Sequence, residues 1–340
     1  MRHSANSSEP PEQPVAELGE FPLIARLLAL LPQPSPAVLC PAGDDAAVLD
    51  AGDGRALLFT ADALVEGRHF LPLPSEAMSA EDVGWRAVVA SVSDVAAMGG
   101  RPTAAVICLA LPGKTPLAVA EGVYRGASEA ARAYRVDIVG GDTTATDGPL
   151  SICVAMLGEA QRERVVLRSG ARPGNVLAVT GWPGRAAGGL EALRSGAPRG
   201  DPLPQAYLRP HVHAALARAI ADQRLATAMM DLSDGIAQDI WRLAERSQVR
   251  VVVRGADLPV AADLAERFGE EKARRLVAGG GEDFELLLAL PRENFHRLAE
   301  LAQAHGTQLT AIGEVLEGPP RAELEGVQAA GWDHFPGSPR

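Results

Sequence analysis

Cysteine is scarce in this chain. Its 340 residues hold three, Cys40, Cys108 and Cys153, far apart and each in an apolar stretch. No CxxC pair occurs, so core thiols in a reducing compartment are expected. No apolar run reaches the ~18 residues of a membrane span. Residues 1–14 are polar and rich in Pro, Ser and Glu, and they lack the apolar core of a signal peptide. A disordered tail over 1–18 on a cytoplasmic protein is expected. A basic excess is missing too: 32 Lys+Arg against 43 Asp+Glu give a net charge of -11. That argues against a nucleic-acid binder, whose footprint is a basic stripe. Nucleotide binding stays open, because bound cations reverse the local sign.

The familiar catalytic fingerprints are also absent. Gly113-Lys114-Thr115 resembles the end of a P-loop, but Cys108 stands where the loop needs its first glycine. No complete GxGxxG follows a strand, and the protein-kinase HRD and DFG signatures are missing. No GxSxG elbow supports a Ser-His-Asp hydrolase. His211 and His213 are two residues apart, the wrong spacing for a helical zinc pair, and are expected on a solvated helix face. No side chain stands out as a nucleophile or base, so no catalytic residue of that kind is expected.

Carboxylates in small-residue segments are what remain. Gly43-Asp44-Asp45, Thr60-Ala61-Asp62, Ser93-Asp94, Gly140-Gly141-Asp142, Asp231-Leu232-Ser233-Asp234-Gly235 and Gly280-Gly281-Glu282-Asp283 each follow an apolar run and read as turns. One Asp in a turn is routine. Six such places point to a shared site for a hard cation and phosphate oxygens. Phosphoryl transfer needs little else, being mostly positioning and charge neutralisation. His69, Trp332 and His334 could read an organic substrate or merely pack locally. Arg168 could hold a phosphate or be a surface arginine.

At 340 residues and 47% hydrophobic content, two soluble globular domains are expected. Helices are predicted over 21–31, 79–98 (Ser79 as N-cap, Asp82 three residues on), 117–134, 185–193, 211–224, 236–246 and 294–305. Strands are predicted at 38–40, 46–49, 56–60, 104–111, 136–139, 150–157, 176–180, 227–230, 249–254, 284–290 and 309–315. Residues 195–204 are expected as a mobile loop. The join is expected near 158–175, giving an N-terminal domain over 19–160 and a C-terminal one over 161–340. The pattern suits a mixed α+β fold with an N-terminal split β-α-β (ferredoxin-like) unit.

Together the motifs resemble the thiamine-monophosphate kinase family of the aminoimidazole-ribonucleotide-synthetase-like superfamily. The resemblance rests on Gly19-Glu20-Phe21, Thr60 to Phe70, Ser93 to Gly99, Gly140 to Thr144, Asp231 to Gly235, Gly280 to Leu286 and Gly331 to Phe335, in the same order along nearly the whole chain. It implies ATP-dependent phosphorylation of thiamine monophosphate to thiamine diphosphate by a homodimer that pairs through its N-terminal domains. It further implies Mg2+ held by Asp44 or Asp45, Thr60, Ala61, Asp62, Asp94, Asp142, Asp231 and Asp234. ATP would meet Gly141, Asp142, Arg168 and Ser233, and thiamine monophosphate would meet His69, Glu282 and Trp332. Ala61 departs from the Ser or Thr expected before the motif aspartate, so any ligand there would be its backbone carbonyl. The acceptor would then be a phosphate oxygen already ionised at neutral pH, which would account for the missing base. Competing readings are another ATP-using enzyme of the superfamily and a non-catalytic nucleotide or metal sensor. A selenophosphate synthetase would want a reactive Cys near the N-terminus, whereas Cys40 lies in an apolar run.

Overall fold

The computed structural model describes residues 14–329 and 331. The first half runs α1 (Glu20–Leu28), β1 (Val38–Cys40), β2 (Ala47–Gly52), β3 (Arg55–Val65), α2 (Ala80–Ala97), β4 (Arg101–Pro112), α3 (Leu117–Tyr134), β5 (Asp137–Thr146) and β6 (Ser151–Gln161). The second runs β7 (Val176–Thr180), α4 (Arg185–Arg194), α5 (Pro202–Leu208), α6 (Ala214–Asp222), β8 (Ala228–Asp231), α7 (Ile236–Ser247), β9 (Arg250–Arg254), α8 (Ala262–Phe268), α9 (Glu270–Gly279), β10 (Leu286–Leu290), α10 (Phe295–Ala304), β11 (Leu309–Leu316) and β12 (Arg321–Glu325).

Each half builds one sheet. The first has the order β1-β2-β3-β6-β4-β5, the second β12-β9-β11-β7-β10-β8. In the first, β6 is antiparallel to both β3 and β4, so β3–α2–β4 brackets β6 as a split β-α-β unit. Side chains alternate across these strands. Leu58, Ile152, Val154 and Met156 are buried beneath the helices, while Phe59, Ala61 and Leu157 face outward.

α2 is the spine of the molecule. Ser79 and Asp82 form the predicted capping box: the Ser79 backbone N–H donates to Asp82 at 2.8 Å, and the Asp82 N–H donates to Ser79 Oγ at 3.3 Å. The helix is buried nearly all round, as expected of one lying between two layers. It packs on β3, β4 and β6 on one side and on α6 and β8 on the other. Its aspartate end is thereby carried to the junction of the two sheets.

Several expectations are corrected. Three of the six acidic segments are not turns. Thr60-Ala61-Asp62 lies within β3, Ser93-Asp94 within α2, and Gly140-Gly141-Asp142 within β5, which runs to Thr146 rather than ending at 139. β5 tolerates its glycines because it pairs closely with β4: a Cβ on Gly141 would sit 1.9 Å from the Ile107 carbonyl oxygen. The 195–204 stretch is partly helical from Pro202, and Arg199 reaches Asp82 at 2.5 Å. His211 and His213 precede α6 instead of lying on it; their rings meet edge-on at 5.0 Å, and the His213 side chain is only 17% exposed. Cys40 is a core thiol, but Cys108 is exposed and Cys153 half-buried. Among the described residues no helix is long and apolar enough to cross a membrane.

Candidate active site

The last turns of α2 gather the carboxylates. Asp94 accepts a hydrogen bond from Thr60 Oγ1 on β3 at 2.5 Å. Ser91 donates to Asp62 Oδ2 at 3.0 Å, and Ser93 donates to Asp231 Oδ2, at the end of β8, at 2.7 Å. Asp45 arrives from the β1–β2 loop. Asp45, Asp94 and Asp231 each bring one oxygen within 4.8 Å of the other two.

This geometry is costly for bare carboxylates. Asp45 and Asp231 are 7% and 1% exposed. Asp45 Oδ2 and Asp231 Oδ1 are buried without a hydrogen-bond partner among the described residues. Buried acceptors are normally satisfied. The negative end of the α2 dipole adds to the same potential. Burial, then Asp62, Asp231 and Asp45, holds the Asp94 carboxyl well above its ordinary range. Burial followed by Asp45 does the same to Asp231. Asp62 is raised chiefly by burial, and Asp44 is pushed to about 7 by burial and then Asp45. Oxygen-only ligands with two orphaned buried acceptors fit a hard divalent cation.

Arg168 supplies the counter-charge. Its Nη2 and Nε donate to Asp45 Oδ1 at 2.6 and 3.2 Å, and its backbone N–H donates to both Asp44 oxygens at 3.2 and 3.1 Å. The side chain is 13% exposed, so it is not a surface arginine. Asp44 thus turns to Arg168, while Asp45 joins the three-carboxylate cluster.

Two loops of the second half lock together beside the cluster. The Glu282 N–H donates to Ser233 O at 2.8 Å, the Phe284 N–H to Leu232 O at 3.0 Å, and the Leu232 N–H to Glu285 O at 2.8 Å. Gly235, at φ +97°, lies so close that a Cβ would meet the Gly279 carbonyl carbon at 2.8 Å. Glu282 and Phe284 also hold left-handed backbone, φ +67° and +54°, a strain that clusters at functional loops. Asp234 pairs with Arg242, whose guanidinium lies 5.1 Å from the Phe21 ring centre, so the Gly19-Glu20-Phe21 segment reaches the same region.

Two turns earlier along α2, Arg86 Nη2 meets Glu282 Oε1 at 2.6 Å and the His69 carbonyl at 3.4 Å. His69 Nδ1 accepts from the Val65 N–H at 3.0 Å. His69 and Glu282, far apart in sequence, are therefore tied through one arginine.

Other expected site residues lie elsewhere. Gly141 and Asp142 sit on the exposed edge strand β5, Asp142 in register with Cys108. Ala61 occupies the β3 position between Thr60 and Asp62, so its side chain takes the opposite face. Asp62 and Thr60 touch the cluster as neighbours of Asp94. Trp332 lies outside the described residues. Gly331 is within them and backs onto α7, where a Cβ would meet Gln238 Cβ at 2.3 Å and Asp234 O at 3.0 Å. Sequence reasoning missed Ser91, Arg86 and Tyr207. For Ser91 the one available signal was a polar residue interrupting the otherwise apolar run of a long helix.

Known proteins share this fold. The family model for AIR synthase related protein, N-terminal domain, matches residues 43–160, and that for the C-terminal domain matches 172–324. A thiamine-monophosphate kinase of Mycobacterium tuberculosis (strain ATCC 25618 / H37Rv) is 35% identical over 347 residues, covering 98% of this chain and 96% of its own length. One from Escherichia coli (strain K12) is 33% identical over 334 residues, covering 93% and 98%. A solved structure of AaThiL complexed with AMPPCP and TMP matches with a TM-score of 0.82 at 34% identity, covering 95% of this chain and 99% of that one.

Proposed function

Because the chain belongs to the AIR synthase related family, as one of its thiamine-monophosphate kinases, we propose that it transfers the terminal phosphoryl group of ATP to thiamine monophosphate, giving thiamine diphosphate and ADP. The observation that carries the chemistry is the cluster of Asp45, Asp94 and Asp231 with its two orphaned oxygens. Mg2+ held there, with Asp62 and Thr60 alongside, would neutralise and polarise two phosphate-bearing reactants that otherwise repel.

The chain's own groups do the positioning. The Thr60 and Ser93 hydroxyls each fix one carboxylate orientation, leaving other oxygens for the ligand. Arg168 holds Asp45, and we assign it to a nucleotide phosphate as well. Ser233 and Asp234 belong to the loop locked against Glu282. The accepting phosphate is mostly ionised at neutral pH, with a second pKa near ~6, so no side chain has to take a proton. His69, Glu282 and Trp332 are assigned to the thiamine moiety, and Gly141 and Asp142 to nucleotide and metal.

The same reading divides the chain into a part that binds ATP and pairs with a second copy, residues 19–160, and a part that completes the substrate site, 161–340. Pairing through the outer face of the first sheet is supported by its exposed apolar residues Phe59 (47%), Val139 (67%) and Leu157 (38%). We assign the enzyme to the cytoplasm.

Incubated with MgATP and thiamine monophosphate, the purified protein yields thiamine diphosphate and ADP, and EDTA abolishes turnover. Undiminished turnover in EDTA would overturn the metal assignment. A second expected result concerns stability. Asp94, Asp231 and Asp62 titrate above the unfolded value of ~3.9, and Asp44 beside them is pushed to about 7. The folded protein therefore binds more protons than the unfolded chain from about pH 4 to 7, and stability falls as pH rises through that window. EDTA-treated protein should melt several degrees lower at pH 8 than at pH 5, and millimolar Mg2+ should restore most of the loss at pH 8. A melting temperature indifferent to Mg2+ at pH 8 would contradict this.

A further inference from the structure

Arg86 is the most deeply buried cation in the described chain that touches an expected substrate residue. Its side chain is 1% exposed, against 30% for Glu282. The guanidinium lies 4.0 Å over the ring centre of Tyr207. Its Nη1 donates to the Tyr207 carbonyl, its Nη2 contacts Glu282 Oε1 at 2.6 Å and the His69 carbonyl at 3.4 Å, and the Tyr207 hydroxyl donates to that same carbonyl at 3.0 Å. α2, α5, the turn after β3 and the strained loop before β10 therefore meet on one side chain.

We propose that Arg86 is the positioning residue for acceptor recognition: it fixes the Glu282 carboxylate and the His69 turn in the geometry that reads thiamine monophosphate. The proposal rests on the reading of His69 and Glu282 as acceptor-binding groups.

Three observations support a positional role over a merely stabilising one. First, Arg86 Nε is buried with no hydrogen-bond partner among the described residues. An orphaned donor on a buried ion pair is a poor stability device. Second, Arg86 grips a loop that needs holding, since Glu282 and Phe284 both sit in left-handed backbone that non-glycine residues avoid. Third, Arg86 and Asp94 lie on the same helix, eight residues apart, a rise of about 12 Å. One rigid element thus sets the spacing between the end of the site that reads the rings and the end that handles phosphate. The planar fork of arginine serves two carbonyls and a carboxylate at once; a lysine ammonium reaches them only in part.

The test is steady-state kinetics of R86K, R86M, E282Q and the R86K/E282Q double variant, with backbone hydrogen exchange of residues 280–285. R86M should raise KM for thiamine monophosphate about tenfold or more, leaving KM for ATP and kcat within about twofold, the signature of lost ground-state binding. R86K should recover much of it. The double variant should match E282Q alone, because the two residues act as a unit. Equal changes in both KM values, no change in either, or additive effects in the double variant would overturn the proposal. If R86M does not fold, R86K and its double variant carry the comparison. If E282Q leaves KM for thiamine monophosphate unchanged, or the wild type does not turn over that substrate, the functional reading has failed. Arg86 is then judged by exchange alone. Faster exchange at 282 and 284 in R86K supports its hold on the loop, and unchanged exchange refutes it.

Discussion

Asp94→Asn should lower kcat by at least about 100-fold, roughly 2.7 kcal/mol of transition-state stabilisation, while the protein stays folded. Asp94 is the one cluster member on α2, and its oxygens lie among those of Asp45 and Asp231. Asparagine keeps the size and can still accept the Thr60 hydrogen bond. It withdraws one negative charge from the place where a hard cation would neutralise phosphate oxygens, an effect worth several kcal/mol. The melting temperature in EDTA should hold or rise, because Asp94 is raised by burial and by three neighbouring aspartates whose repulsion the variant relieves. Half-maximal activation should also demand more Mg2+. A variant with near-normal kcat at ordinary Mg2+ would place the chemistry elsewhere.

Which parts of this were legible in the sequence follows from how local each signal is. The α2 start was readable because a capping box is a four-residue signature, and Ser79 with Asp82 forms one. The aspartates were readable as a set because small residues flank each of them. Their local structure was not. Glycine and alanine beside an acid look like a turn in one dimension, yet Thr60-Ala61-Asp62 continues as strand because β6 pairs along all of β3, and Gly140-Gly141-Asp142 continues because β4 does so in parallel. Tertiary pairing overrides weak β propensity there. Arg86 and Tyr207 were invisible for a different reason. Their contact joins residues 121 apart, and no spacing rule connects a helix interior to a short helix in another part of the chain. The buried state of Arg168 had the same origin, since Asp45 is 123 positions away.

Arg168→Met should produce a large loss of stability, and the loss should depend on the cation. Arg168 Nη2 and Nε both hold Asp45 Oδ1, with Asp45 itself fully buried at its side chain. Removing one partner of a buried ion pair leaves the other charge uncompensated and costs about 3–5 kcal/mol. At about 2–4 °C per kcal/mol the melting temperature in EDTA should drop by about 6–20 °C. The backbone N–H of residue 168 still donates to Asp44 in the variant, so the β1–β2 loop keeps part of its anchor. Mg2+ should restore more stability to this variant than to the wild type, since a cation among Asp45, Asp94 and Asp231 supplies the charge that the arginine had supplied. Arg168→Lys should fall between the two, keeping the charge but losing the two-nitrogen grip on Oδ1. If Arg168 also meets nucleotide, KM for ATP rises in both variants while KM for thiamine monophosphate stays put. A methionine variant that melts within a degree of wild type in EDTA would overturn the reading of the 2.6 Å Arg168–Asp45 contact as a stabilising ion pair.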